Sequence, residues 1–461
     1  MQIPRIERLM GIEAYSTHSA GIGGTIRENA EDFIVEEMLV DGSKAQTEAL
    51  NSHVERQVLG CSATKDRYLL CVMIKVNWDT LAAVKTIARQ LGVASERVQI
   101  AGMKDAKALT AQHLTIEDAS AEEVQRIRVK DIEVRPLGYV RTRLSSYYLL
   151  GNSFRVRVRA VSHSRKIIDN RITETIDALK DVGGVPNFFG HQRFGTVRPI
   201  THLVGKAIIE KDFKKAAMLF LAEPSPIEHP SSRRARLRLR ATQNFEQALK
   251  TFPRQLRYER AMLVHLVKHP DDFVGVFRTL PSKLQRMLVQ ACESYLFNRF
   301  LSRRITLGLP LNMAEVGDYA VAVERSGLDV PKIYKTVSPE NRAEINSAIK
   351  AGKIRLAIPL VGFKQRPSSG AQGEIEARIL EEEDVSPRDF KIPSLPEMSA
   401  RGTLRTATTP FNDFSAGESL PDVDRRGKHQ VEVSFTLYRG SYATVVLREL
   451  MKPRNLIKQG F

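Results

Sequence analysis

The sequence predicts an α+β protein in which one domain is interrupted by another. Three observations lead there. The chain has 461 residues, more than one hydrophobic core usually serves, so two domains or one domain with a large insertion are expected. Strand-like stretches lie near both ends, the last at 431–437, while about 200–400 reads as several helical segments. Two consecutive domains would leave that last strand without a sheet to join. Apolar residues make up 42% of the chain, ample for packed cores and unlike a disordered chain.

The elements follow in order. Residues 25–40 read as a strand, a turn at Asn29 and a second strand, with Ile26, Phe33 and Val35 on the apolar side. The preceding Gly21-Ile22-Gly23-Gly24 is not a phosphate cradle, because neither Lys-Ser/Thr nor a third glycine follows at the required offset. Tyr68–Val76 is an apolar run broken only by Lys75, of a length that fits a strand buried on both faces. Lys75, near its end, is expected to snorkel to solvent. Asn77 or Asp79 can cap a helix on which Leu81, Val84, Ile87, Ala88 and Leu91 recur, and Gly92 stops it. A short strand at 98–101 then delivers Gly102 and Asp105 to a strand end, where a rigid sheet can hold functional groups on a loop.

Further on, Phe154, Val156, Val158 and Ala160 alternate with Arg155, Arg157 and Arg159. Period 2 means a strand with one buried face and one row of arginines. Such a row suits phosphate contact or an ordinary solvated face. Helices are expected over 167–179 and 284–300, the second with Leu284, Met287, Leu288, Ala291, Tyr295, Leu296 and Phe300 on its core side. The densest basic run, 233–240, reads as an RNA-facing stretch or as a solvated helix face. A Pro-rich link at 392–402 leads back to the final strand, in which Val431, Val433, Phe435 and Leu437 alternate with polar residues.

Charge narrows the partners. Seventy basic against 53 acidic residues give +17, which points to polyanions, RNA or DNA before an anionic membrane surface. A membrane span is not expected, since no apolar run approaches the ~18–20 residues it needs. Residues 1–8 carry acid and no apolar core, unlike a signal peptide. Cys61, Cys71 and Cys292 are few, odd in number and without a C-x-x-C pair. They indicate neither a disulfide framework nor a zinc site, and a reducing cytoplasm is expected.

The stretch 101–112 is the candidate for chemistry. It sets Asp105 between Lys104 and Lys107, after Gly102 and before Thr110 and Gln112. Neighbouring positive charge favours an ionised carboxylate, the state a nucleophilic carboxylate needs. The same residues would also suit a solvated turn of mixed charge.

Gly102-x-Lys104-Asp105-x-x-Ala108-x-Thr110-x-Gln112 resembles the catalytic motif of the TruD family of tRNA pseudouridine synthases. Three more stretches resemble that family in the expected order: Leu149-x-Gly151-Asn152-x-Phe154; Asn187-Phe188-Phe189-Gly190-His191-Gln192-Arg193-Phe194-Gly195; and Gly440-Ser441-Tyr442-Ala443-Thr444 with Arg448-Glu449. The resemblance implies a pseudouridine synthase catalytic domain, residues 1–198 plus 405–461, with a mixed, mainly antiparallel sheet flanked by helices. A second α/β domain, 199–404, would be inserted in it.

The activity implied is isomerisation of uridine to pseudouridine in tRNA, at uridine 13. The base leaves its ribose carbon through nitrogen, rotates and rejoins through carbon, so no cofactor or metal is called for. Asp105 is then the essential carboxylate, attacking the sugar carbon or taking a sugar proton. Arg27 matches the basic position that pairs with it, and Phe189 the aromatic on which the base rests, with Asn187 ordering that loop. Lys104, Lys107, Asn187, Arg193, Arg155 and Arg157 are expected to bind RNA. His191 falls at a variable position, and Phe188 and Phe194 are expected in the core. Oligomeric state is open, with a monomer favoured. The competing readings are a non-catalytic RNA-binding protein, a synthase acting on another RNA, and a nucleotide-dependent RNA enzyme. The missing phosphate loop disfavours the last.

Overall fold

The computed structural model describes residues 2–48 and 58–461. The chain divides into two compact units. One comprises Thr17–Lys180, Arg325–Leu328 and Thr409–Phe461; the other comprises Met1–Ser16, Asp181–Glu324 and Asp329–Thr408. Thus the first unit is discontinuous. Its main breaks fall at 180/181 and 408/409, where the sequence reading placed boundaries at 198/199 and 404/405, and residues 1–16, read there with the catalytic domain, fall in the other unit.

The unit that holds Asp105 is built on one nine-stranded sheet. Six of its strands come from the first part of the chain: β1 (Phe33–Leu39), β2 (Tyr68–Val76), β3 (Val98–Ile100), β4 (Leu109–Glu117), β5 (Ile132–Val140) and β6 (Leu149–Val161). The order is Phe411–Ala416, His429–Tyr438, β6, β1, β4, β2, β5, with Leu420–Pro421 beside His429–Tyr438 and β3 beside β4. Among the described residues β1 and β4 are the one parallel pair of this sheet, so the sheet is mixed and mainly antiparallel, as the resemblance implies.

Strand β2, between β4 and the edge strand β5, spans the run read from its apolar composition, and Tyr68 through Lys75 are all buried. The helix Thr80–Gln90 lays Ala83, Val84, Ile87 and Ala88 on Leu69, Cys71 and Met73, together with Leu114 and Ile116 of β4. Burying one such aliphatic side chain contributes roughly 1.5–3 kcal/mol, so this helix is fixed firmly to the sheet. Of the two candidate caps, Asp79 serves: its Oδ1 accepts from the Ala82 N–H at 2.9 Å. On the other face Val72 and Ile74 pack with Ala45 and Ala111. Lys75 departs from expectation. It does not snorkel but is 0% exposed.

Strand β6 keeps its predicted alternation through Val158 and then loses it. Its apolar face meets the C-terminal strand, with Phe154 opposite Phe435 and Val156 opposite Val433. The rings of Phe154 and Phe435 stack at 5.4 Å. Between Val158 and Val161 the register to that strand shifts, and Ala160 takes a φ of +56°. Such a bulge re-aims a side chain, here Arg159. Its guanidinium turns inward to Asp32 at 2.8 Å and Asp424 at 2.9 Å, so the expected row of three arginines has two members. The strand expected before Asn29 shrinks to one bridge, Thr25 with Arg159. Gly23, Gly24 and Arg27 all have positive φ, which breaks an extended ladder.

The second unit pairs helices with a four-stranded sheet in the order Thr403–Thr406, Ile354–Leu360, Tyr319–Val323, Asp329–Thr336. Its longest helix, Ser282–Thr306, is buried on more than the one predicted side, with Cys292, Phe297 and Asn298 enclosed beside Ala291 and Phe300. The basic run lies on the helix Pro230–Thr242. Arg236 is 2% exposed and paired with Glu228 at 3.0 Å and Glu259 at 2.6 Å. Arg233, Arg234, Arg238 and Arg240 are exposed. All three cysteines are free thiols and buried. Among the described residues no helix is long and apolar enough to cross a membrane.

Candidate active site

The loop between β3 and β4 carries Asp105, and neighbouring elements hold it at several points. The Gln112 side chain, on β4, donates through Nε2 to the Gly102 carbonyl at 3.0 Å. Thr80, first residue of its helix, accepts the Lys104 N–H on Oγ1 at 3.1 Å. Asn77 N–H reaches the Ala108 carbonyl at 3.1 Å. A loop so tied presents its side chains with little conformational freedom to lose on binding.

Arg27 meets the carboxylate. Its Nη2 donates to Asp105 Oδ1 at 2.9 Å, and Nη1 donates to the Gly460 carbonyl at 3.2 Å. The guanidinium lies 3.9 Å over the Phe33 ring, a cation–π contact that fixes its plane. Side-chain exposure is 10% for Arg27 and 32% for Asp105, so the cation is enclosed while the carboxylate stays reachable. Burial draws the Arg27 guanidinium below its ordinary pKa, with Asp105 acting in the opposite direction. The pair is a fixed cation holding a solvent-reachable anion, an arrangement suited to a nucleophile or a base.

Lys104 and Lys107 part company. The Lys104 side chain is 2% exposed, and its ammonium lies 2.7 Å from Glu37 Oε2 and donates to Asn152 Oδ1 at 2.7 Å. Glu37 also accepts the His113 N–H at 2.9 Å. Burial alone would push the Glu37 carboxyl up; Lys104 and His113 outweigh it and leave the pKa below the ordinary value. Lys104 is therefore turned into the sheet and not toward a phosphate, a correction to the sequence reading. Lys107 is exposed. Arg155 and Arg157 are half-exposed; Arg155 stands 3.5 Å from Glu48 and Arg157 3.1 Å from Glu432.

In the second unit the other motif forms its own cluster. Phe188 and Phe194 are fully buried, as predicted. Phe189 is 7% exposed; its N–H donates to Asn298 Oδ1 at 2.8 Å and its ring meets Phe297 edge-on at 5.6 Å. Arg405 covers one face of the Phe189 ring at 4.0 Å. That guanidinium is held by Asn187, through the carbonyl at 2.9 Å and Oδ1 at 2.6 Å. Asn187 therefore orders this cluster through Arg405, a residue sequence reasoning did not single out. Its only trace in the chain is an arginine in the short alternating stretch 403–406. Arg193 lies 5.6 Å from the same ring and donates to Ser294 Oγ at 3.0 Å. His191 is buried, 3.7 Å from Glu7. Among the described residues no group of three or more His, Cys, Asp or Glu side chains is placed to hold a metal ion.

Residues 9–450 match the family model described as tRNA pseudouridine synthase D (TruD). A Methanosarcina mazei protein named probable tRNA pseudouridine synthase D is 41% identical over 453 residues, 98% of each chain. A Pyrococcus abyssi protein of the same name is 35% identical over 439 residues, 95% of this chain and 98% of its own. The crystal structure of the putative tRNA pseudouridine synthase D from Methanosarcina mazei superposes with a TM-score of 0.82 at 40% identity, covering 98% of this chain and 99% of that one.

Proposed function

The chain belongs to the TruD family of tRNA pseudouridine synthases, and from that premise we propose that it isomerises uridine to pseudouridine in tRNA, at uridine 13, with Asp105 as the essential carboxylate. The observation that carries the reading is the Arg27–Asp105 pair, 2.9 Å apart with the carboxylate open to solvent. The glycosidic C–N bond breaks, the freed uracil turns, and a C–C bond forms to the same sugar carbon. Asp105 acts on the sugar as the base departs, by attack at carbon or by removal of a proton. Arg27 keeps the carboxylate in place by a charge-assisted hydrogen bond. Extruding a base from its stack costs a few kcal/mol, which an aromatic face offsets; Phe189 is the residue proposed for that role.

The proposal extends to the organisation of the chain. Residues 1–198 plus 405–461 are read as the catalytic domain and 199–404 as an insertion. The enzyme acts as a cytoplasmic monomer without a cofactor. Lys107, Arg155, Arg157, Arg193 and Asn187 remain the proposed RNA contacts. Lys104 is reassigned to holding the loop.

A pseudouridine map of RNA from cells with and without the gene tests the target. The expected result is one position, uridine 13 of tRNA, that loses its modification. Loss at another RNA alone favours a synthase of different specificity, and no change anywhere favours a non-catalytic RNA-binding protein.

A further inference from the structure

Lys75 is the one charged residue in the most buried strand of the sheet, and the proposed chemistry does not use it. Taking an ammonium out of water is costly unless its donors are met. Here they are met by main-chain oxygens: Nζ donates to the Asp105 carbonyl at 2.7 Å and to the Trp78 carbonyl at 2.7 Å. Lys75 thus bridges the turn after β2 to the turn that carries Asp105. Asn77 and Thr80, from the same short stretch, tie Ala108 and Lys104. Four points of the loop, at Gly102, Lys104, Asp105 and Ala108, are pinned from the sheet and from residues 75–80. Among these ties, the one from Lys75 is a charge-assisted bond to the residue proposed to react. Burial holds the ammonium's pKa down to about 8, against the upward pull of Asp105 and Asp79 and with Lys104 adding to the lowering.

We propose that Lys75 is a positioning residue for the isomerisation: by anchoring the main chain of Asp105 it keeps that carboxylate seated on Arg27. The inference rests on the reading of Asp105 as the essential carboxylate. Lys75 is 0% exposed, so it cannot touch RNA, and any effect on turnover passes through the loop. Misplacing a reacting group by about 1 Å can cost about 100-fold in rate. An apolar residue of the same length would leave both carbonyls short of a donor and free the turn to shift.

The test compares Lys75→Met, Thr80→Val and Asp105→Asn on a tRNA transcript, with kcat, KM, RNA affinity and a folding check by circular dichroism. The expected result for folded Lys75→Met is a kcat at least 10-fold below wild type, with KM and RNA affinity within twofold. Thr80→Val, which cuts a weaker tie to the same loop, should lose less. A merely structural lysine would lower the melting temperature and leave kcat per folded molecule within twofold of wild type, which overturns the proposal. Should Lys75→Met not fold, Lys75→Gln, too short and uncharged to bridge both carbonyls, replaces it under the same criterion. An Asp105→Asn enzyme that still turns over sinks the underlying reading, whereas an inactive Asp105→Asn beside a fully active Lys75→Met sinks only this inference.

Discussion

Lys104 Nζ lies 2.7 Å from Glu37 Oε2 with both side chains shut away from solvent, 2% and 0% exposed. The residue directly before the proposed catalytic carboxylate is therefore part of the sheet's interior. Removing one partner of a buried pair leaves an uncompensated charge and typically costs about 3–5 kcal/mol. Lys104→Met is expected to destabilise the protein by about that much, and the double variant Lys104→Met with Glu37→Gln by clearly less. Chemical denaturation of wild type, the two single variants Lys104→Met and Glu37→Gln, and the double variant checks this. Equal losses in the single and double variants would contradict the pairing.

Arg27 is held on three sides, by Asp105, by the Gly460 carbonyl and by the Phe33 ring. Lysine can replace the charge but not the fork or the stacking plane. Arg27→Ala is expected to lower kcat about 100-fold, the scale of losing one preorganised donor, and Arg27→Lys to fall between it and wild type. Steady-state kinetics on tRNA decide it, and a lysine variant equal to wild type contradicts the role of the fork.

Phe189 is buried, so truncation to alanine would confound stability with function. Phe189→Leu keeps most of the volume and removes the π face. Base–aromatic stacking is worth about 1–3 kcal/mol, so single-turnover rate should fall between about 5- and 100-fold while affinity changes little. A fall in affinity alone would make the ring a groove contact. Because Arg405 lies on that ring, Arg405→Ala should alter the same rate constant and not affinity alone.

How much was legible from sequence depends on how far apart the interacting residues lie. The span of β2, the Asp79 cap and the alternation of β6 depend on neighbours in sequence, and local pattern found them. The last strand joins β6 because their apolar faces match, and its alternation was readable without knowing its partner. The family motif led to Asp105 and Arg27, and the structure puts those two in contact. What pattern missed depends on distant partners. Nothing near Lys104 announces Glu37, nothing near Asn187 announces Arg405 across 218 residues, and the bulge that turns Arg159 inward comes from its pairing with the final strand. Lys75 looked like a snorkelling side chain because the carbonyls it serves lie on turns, and main-chain acceptors leave no mark in the sequence.

Glu293, on the long helix near Arg193, has its carboxyl pKa raised to about 8 by burial, against the lowering effect of Arg193. A carboxyl whose folded pKa exceeds its unfolded value binds its proton more tightly when folded. Stability from it is therefore full below about pH 4.5 and is lost as pH rises through about 8. Glu293→Gln should remove that slope and be more stable than wild type at pH 8, by roughly 2–4 kcal/mol, with no such advantage at pH 4.5. Melting curves of both proteins across that range check it, and parallel curves would contradict the assignment.

The most direct measurement is pseudouridine formation on a tRNA transcript by Asp105→Asn, with RNA affinity measured on the same preparation. The substitution keeps size and hydrogen-bonding shape while removing the anion that Arg27 holds. The account predicts affinity within about threefold of wild type and no product above background, a loss of at least the ~10⁴-fold scale seen when an essential catalytic group is removed. Turnover near the wild-type rate would contradict it.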